Sequence, residues 1–158
     1  MGKVLKQKDK MNAFTLVELL VTIGIAAIMM AYALPAFDNM MKNSRLTSTT
    51  NLIVGAYNLA RSEAVARGAD VVVRDIADGW QVAQVAPDVD IKDFEPDSKG
   101  ITFTPGAFPD VTYSSSGFRP FTDNGVVTIK LCDDRNEGRM VTISPSGMTS
   151  VNGAPACP

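Results

Sequence analysis

The chain has 158 residues, 15 Lys and Arg against 17 Asp and Glu, a net charge of −2 and no histidine. That length allows one membrane segment and one small domain, and the near-balanced charge argues against a broad electrostatic grip on nucleic acid. Histidine is the commonest general base and metal ligand, and no G-x-S-x-G, H-E-x-x-H, P-loop or C-x-x-C pattern stands in for it. Adjacent Asp133 and Asp134 on a strand would face opposite sides, so they make no acid pair. A protein that is not an enzyme and carries no cofactor is expected.

Lys3, Lys6, Lys8 and Lys10, against a single Asp9, precede a stretch of 24 apolar-dominated residues from Phe14 to Phe37. About 20 apolar residues, each rising ~1.5 Å, cross a bilayer core, so the stretch qualifies as a transmembrane helix. The leading lysines keep the amino terminus in the cytoplasm and put everything beyond Phe37 on the other side. Removing the +3 of residues 1–13 leaves the remainder at −5. An ordinary secretory signal cut after Ala31-Tyr32-Ala33 is the competing reading. The stretch is longer than the roughly 7–15 residues of such a signal, and it carries a carboxylate near its start.

That carboxylate is Glu18. A charge in hydrocarbon costs at least about 2.5–3.5 kcal/mol and marks function by default. Glu18 either snorkels to the headgroups or takes a cationic partner, and an amine freed by cleavage between Ala13 and Phe14 is one.

From Asp38 the pattern turns amphipathic. Leu46, Ile53 and Ala60 recur every seven residues, with Tyr57 and Ala64 alongside, so one apolar stripe faces a partner. Glu63 and Arg67 stand in the favourable i, i+4 order, and Gly68 supplies the stop. One helix from Phe14 to Arg67 is predicted, with two helices broken at Pro35 as the alternative.

After Gly68 the period becomes that of strands. Val71–Val73 and Trp80–Val85 form a hairpin through Asp78-Gly79. Ile101–Phe103, Val111–Tyr113, Val126–Leu131, Met140–Ile143 and Met148–Val151 follow, separated by Gly and Pro. The expected fold class is α+β: a long N-terminal helix, transmembrane then amphipathic, packed on a small, mostly antiparallel β-sheet domain. Trp80 beside its turn is read as core rather than as a binding platform. The acidic run from Asp88 to Asp97 lacks the Gly and terminal Glu of an EF-hand, so a solvated loop is expected in preference to a calcium site. Cys132 and Cys157 lie on the exported side, where a disulfide closing a loop of about 25 residues is favoured over two free thiols. It would pin the carboxyl terminus to the Leu131 strand.

Ala13-Phe14-Thr15-Leu16-Val17-Glu18-Leu19-Leu20 resembles the prepilin cleavage and methylation motif of type IV pilins and type II secretion pseudopilins. The resemblance implies a leader at 1–13, removed by prepilin peptidase between Ala13 and Phe14, and N-methylation of Phe14. It implies a transmembrane and assembly helix at 14–37, continued amphipathically over 38–68, and a β-rich pilin domain at 69–158. Glu18 matches the family glutamate that pairs with an N-terminal amine in the filament, and Pro35 the helix-bending proline. Ala13 departs from the usual glycine. The run Asn58 to Gly68 resembles the helix end of the FimT/FimU/GspH group. Leu131 to Asp134 and Gly138 to Gly147 resemble its C-terminal strand pair.

These resemblances imply a minor pilin of the type IV pilus, inserted in the inner membrane and incorporated near the pilus tip to prime assembly. A GspH-type minor pseudopilin of the type II secretion system is the near alternative. The implied partners are other pilins or pseudopilins, the prepilin peptidase and inner-membrane lipid. A DNA-capturing pilin for natural transformation is a further alternative. FimT-like proteins of that kind use arginines after the final glycine, whereas Gly147 here precedes Met148-Thr149-Ser150. Arg119, Lys130, Arg135 and Arg139 are then the candidate DNA contacts, with Asp133, Asp134 and Glu137 interleaved among them.

Overall fold

A computed structural model describes residues 14–119, 125–153 and 157. Ala13 and the preceding leader lie outside the described residues. The chain divides into two compact units, Met1–Met40 and Met41–Pro158.

A single helix, α1, runs Leu16–Arg67 and continues through Pro35. At its start the Thr15 Oγ1 accepts the Glu18 backbone N–H at 3.2 Å, so Thr15 is the N-cap and Glu18 sits at the third helical position. At its end Gly68 takes φ +62°, and the Ala69 N–H returns to the Ala64 carbonyl at 3.3 Å, the left-handed termination only glycine enters cheaply. Arg67 closes on Glu63 at 2.7 Å.

In the second unit the expected stripe is the buried one: Leu46, Ile53, Tyr57, Ala60 and Ala64 all lie inside, and Ala56 with them. Thr49 and Thr50 join them, and the Thr50 hydroxyl donates to the Leu46 carbonyl at 2.6 Å, which meets its hydrogen-bonding need within the helix.

Among the described residues eight strands follow: β1 Val71–Ile76, β2 Gly79–Gln84, β3 Val89–Phe94, β4 Ile101–Thr104, β5 Val111–Tyr113, β6 Val127–Asp133, β7 Gly138–Ile143 and β8 Thr149–Gly153. They form two four-stranded sheets, ordered β3-β2-β1-β5 and β4-β6-β7-β8, and every recorded pairing is antiparallel. One core cluster joins the helix stripe to Val71, Val73 and Val82 of the first sheet and to Ile129, Leu131, Val141 and Ile143 of the second. The expected α+β pilin architecture is present, with the strands shared between two sheets.

Two expectations change. The β1–β2 turn is Ala77-Asp78, with Gly79 already opening β2 opposite Ile76. At φ +154°, a side chain on Gly79 would collide with the Phe94 carbonyl, which fixes glycine in the strand.

The acidic run is a strand at its centre. Phe94 enters the core against Trp80, and the carboxylates find partners on the outer face. Arg74 reaches Asp88 at 3.4 Å and Asp90 at 3.1 Å. Gln81 accepts from Arg74 and donates to Asp93, both at 2.8 Å. Burial of Phe94 and this cross-strand ladder outweigh the poor strand propensity of aspartate.

The C-terminal strand expected over Met148–Val151 is present as β8, and Val151 pairs with Val141 on β7.

Candidate assembly site

The amino-terminal unit is an apolar helical surface without internal cover. Phe14 is 78% exposed, and Leu16, Leu20, Ile23, Ile28, Met30 and Leu34 are likewise open. By length and composition α1 is able to cross a membrane. Such a surface is satisfied in lipid or among other helices. Glu18 lies in the first turn, where unpaired N–H groups and the helix dipole favour a carboxylate. Thr15-x-x-Glu18 has the spacing of a capping box, a local signal already carried by the sequence. Phe14, Glu18 and Pro35 therefore share one unit, with the carboxylate four positions beyond Phe14.

In the second unit, Cys132 and Cys157 form a disulfide with Cα atoms 5.7 Å apart. Cys132 sits near the end of β6, opposite Thr102 and Gly138.

The structure separates the four candidate DNA contacts. Arg119 is only 5% exposed and donates to the carbonyls of Gly125 at 2.8 Å and Ile143 at 3.5 Å; it serves the interior. Arg135 lies on Asp133, donating through Nε at 2.9 Å and Nη2 at 2.5 Å, and reaches Asn43 of α1 at 2.7 Å. In the β6–β7 register Lys130 faces Met140 and Arg139 faces Leu131, so the two point to opposite faces of the sheet. A single arginine patch is not built.

Asp133 is the hub the sequence did not reveal. It is 8% exposed and accepts the backbone N–H groups of Arg135 and Glu137, each at 2.9 Å, besides the Arg135 guanidinium. Burial works to raise its pKa, but these hydrogen bonds prevail and hold it below the usual carboxylate range. The neighbouring Asp134 takes Lys42 of α1 at 2.8 Å. Together Asn43 and Lys42 tie the β6–β7 turn to the helix. Its sequence signal is Asp133-x-x-x-Glu137 ahead of Gly138 at a strand start, a pattern with no unique reading.

A second feature escaped the periodicity. Ser114 to Phe118 and Ser144 to Met148 are twin turns: in each, the first Ser N–H donates to the carbonyl four residues on, at 2.8 and 2.9 Å. In each, the two serine hydroxyls meet at 2.8 Å, and Gly117 and Gly147 share φ +78°. The repeated S-x-S-G at 114–117 and 144–147 is its sequence signal.

A long helix with its carboxylate in the first turn, an uncovered apolar surface and a helix-backed antiparallel domain define a pilin-like filament subunit, a structural protein rather than an enzyme. Residues 8–34 match the prokaryotic N-terminal methylation motif. Residues 49–147 match the model of the type II transport protein GspH, and the chain belongs to that family.

Among solved structures, the chain is similar to the type IV minor pilin FimU of Pseudomonas aeruginosa, with TM-score 0.61 and 14% identity over 75% of this chain and 99% of that one. A second crystal form of that protein gives 0.58 and 16% identity, over 72% and 100%. The minor pseudopilin EpsH from the type 2 secretion system of Vibrio cholerae gives 0.43 and 20% identity, over 71% and 95%. Prepilin peptidase-dependent protein D of Escherichia coli K12 is 44% identical over 46 residues, 29% of this chain. The chain spans about a third of that relative's length, 32%.

Proposed function

We propose that the chain is a minor pilin, cut between Ala13 and Phe14 by a prepilin peptidase, methylated on Phe14 and held in the inner membrane by its Phe14–Phe37 helix until it enters a filament. The observation that carries this reading is the uncovered apolar surface of α1 with Glu18 in its first turn. In the membrane that surface meets lipid; in a filament it meets neighbouring helices, and Glu18 meets an N-terminal ammonium of an adjacent subunit. The domain contributes surfaces that cap or prime assembly near the tip. The fold likeness to a type IV minor pilin supports the pilus as the destination.

A minor pseudopilin of a type II secretion system is the second reading, favoured by the family match over residues 49–147. DNA capture draws no support from Arg119 and Arg135, whose guanidinium groups are engaged within the domain.

A deletion strain scored in parallel for surface pili and for secreted enzyme activity separates the readings. Lost pili with intact secretion is the expected result; lost secretion with normal pili assigns the chain to the secretion machine.

A further inference from the structure

Among the described residues the two sheets leave four edges, β3 and β5 in the first, β4 and β8 in the second. Exposed edges invite further strands, and folded domains blunt them with charge, proline, bulges or brevity. Three of these edges are blunted. β3 carries Asp90, Lys92 and Asp93 and a register shift opposite Val82 and Ala83. β4 spans only Ile101–Thr104 and stops at Pro105, and β5 is Val111–Tyr113 alone, closely preceded by Pro109. β8 has none of these devices. Its Thr149-Ser150-Val151-Asn152-Gly153 holds no charge and no proline, and it pairs with β7 without a break in register. The direction of its free groups follows from the ladder. The Ser144 N–H donates to the Met148 carbonyl, and bonded pairs alternate along an antiparallel ladder, so Ser150 and Asn152 bond to β7. The N–H and C=O groups of Thr149, Val151 and Gly153 then point outward, and they have no partner among the described residues. Val151 stands beside the buried Val141 yet is 41% exposed, so the core layer is open at this edge. The disulfide anchors Cys157 to β6, inward of β7 and away from that edge.

We propose that β8 is a docking edge to which a strand of a different polypeptide adds, extending the second sheet. A row of alternating main-chain donors and acceptors is matched by another extended backbone. The two faces of the edge specify the side chains of that strand. Beside Thr149 and Val151 they are apolar, because this face continues the buried layer of Ile143 and Val141. Beside the exposed Ser150 and Asn152 they are polar. A second copy of β8 is a poorer match. Paired about Val151, it sets Gly153 opposite Thr149 at both ends and leaves a single apolar contact. The assignment is independent of whether the filament is a pilus or a pseudopilus.

Amide hydrogen exchange of the full-length protein in detergent micelles reads this edge directly, with acetyl-Lys-Thr-Val-Thr-Val-Thr-amide as the probe strand. At about ten times its dissociation constant the peptide should slow exchange at Thr149, Val151 and Gly153 about tenfold. The amides of β3 should be unaffected. Val151→Pro removes an outward N–H and no bond to β7, a place where an edge strand accepts proline, and should abolish the slowing at Thr149 and Gly153. Val151→Lys, which leaves the backbone intact and adds an edge charge, should weaken peptide binding about tenfold. Melting temperatures report that each variant is folded. No slowing by the peptide, equal slowing on β3, or undiminished binding to Val151→Lys overturns the proposal. Slowing that needs no peptide and grows with protein concentration also overturns it, and gives the edge to a second copy of this chain.

Discussion

Two side-chain groups set how this domain responds to pH, in opposite directions. Tyr57 is fully buried and its hydroxyl has no partner; burial first, then the neighbouring Tyr113, pushes its phenol well above the ordinary value. Tyr113 is pushed up to about 12, by burial, with Arg119 opposing. A raised folded pKa means the unfolded chain loses its proton first. Stability is therefore fully present below about pH 10 and falls above it, by about 1.4 kcal/mol per pH unit for each phenol until its folded pKa is reached. Urea unfolding between pH 8 and 11 measures the slope. Because the Tyr57 hydroxyl satisfies nothing, Tyr57→Phe should leave the domain as stable or up to about 1 kcal/mol more stable at neutral pH, and should flatten the alkaline slope. A loss of stability would mean that hydroxyl is bonded after all. At the acid end Asp133 reverses the sign: its lowered pKa gives stability that is present above about pH 3.9 and is lost as pH falls through the folded value. Asp133→Ala removes the acceptor of two turn N–H groups and should cost about 2 kcal/mol at pH 7, with a smaller acid sensitivity as the accompanying mark.

Glycines give the sharpest contrasts between elements. Gly55 lies within α1 and a methyl there meets nothing within 4 Å, so Gly55→Ala should stabilise by about 0.5–1 kcal/mol through the unfolded chain's lost freedom. Gly147 sits at φ +78°, with an added Cβ 2.9 Å from both the Gly117 carbonyl and the Tyr113 ring. Gly147→Ala should cost well over about 1 kcal/mol, since strain and collision act together. Thermal melts of the two variants should move in opposite directions; parallel shifts would refute the twin-turn geometry. The helix was legible in sequence because its stripe at 46, 53, 57, 60 and 64 has only one solution, burial against a sheet. The third strand was not, because Asp88, Asp90 and Asp93 read as solvated until Arg74 and Gln81 stand beside them, a long-range fact that periodicity does not carry. Neither was the fate of the arginines: charge is visible in a sequence, but the carbonyls that bury Arg119 are not.

On the scale of the whole molecule, the question is what Glu18 is for. On the proposed reading, two physical roles fall on the same carboxylate. As the third residue after the Thr15 cap it suits the first turn of α1, a role glutamine fills equally well because the capping box needs an acceptor rather than a charge. As the counter-ion of a neighbour's N-terminal ammonium it needs the charge, since in a dry helix bundle an ammonium facing a neutral amide keeps most of its desolvation penalty. Glu18→Gln separates the two where Glu18→Ala confounds them. Membrane insertion depends on apolar length, so both variants should still fractionate with the membrane. Both should be missing from sheared filaments when expressed beside the other subunits. Incorporation of Glu18→Gln at the parental level would reduce Glu18 to a helix cap and remove charge pairing from the assembly reading. Absence of both variants, with insertion preserved, leaves the ammonium as the partner that this carboxylate serves.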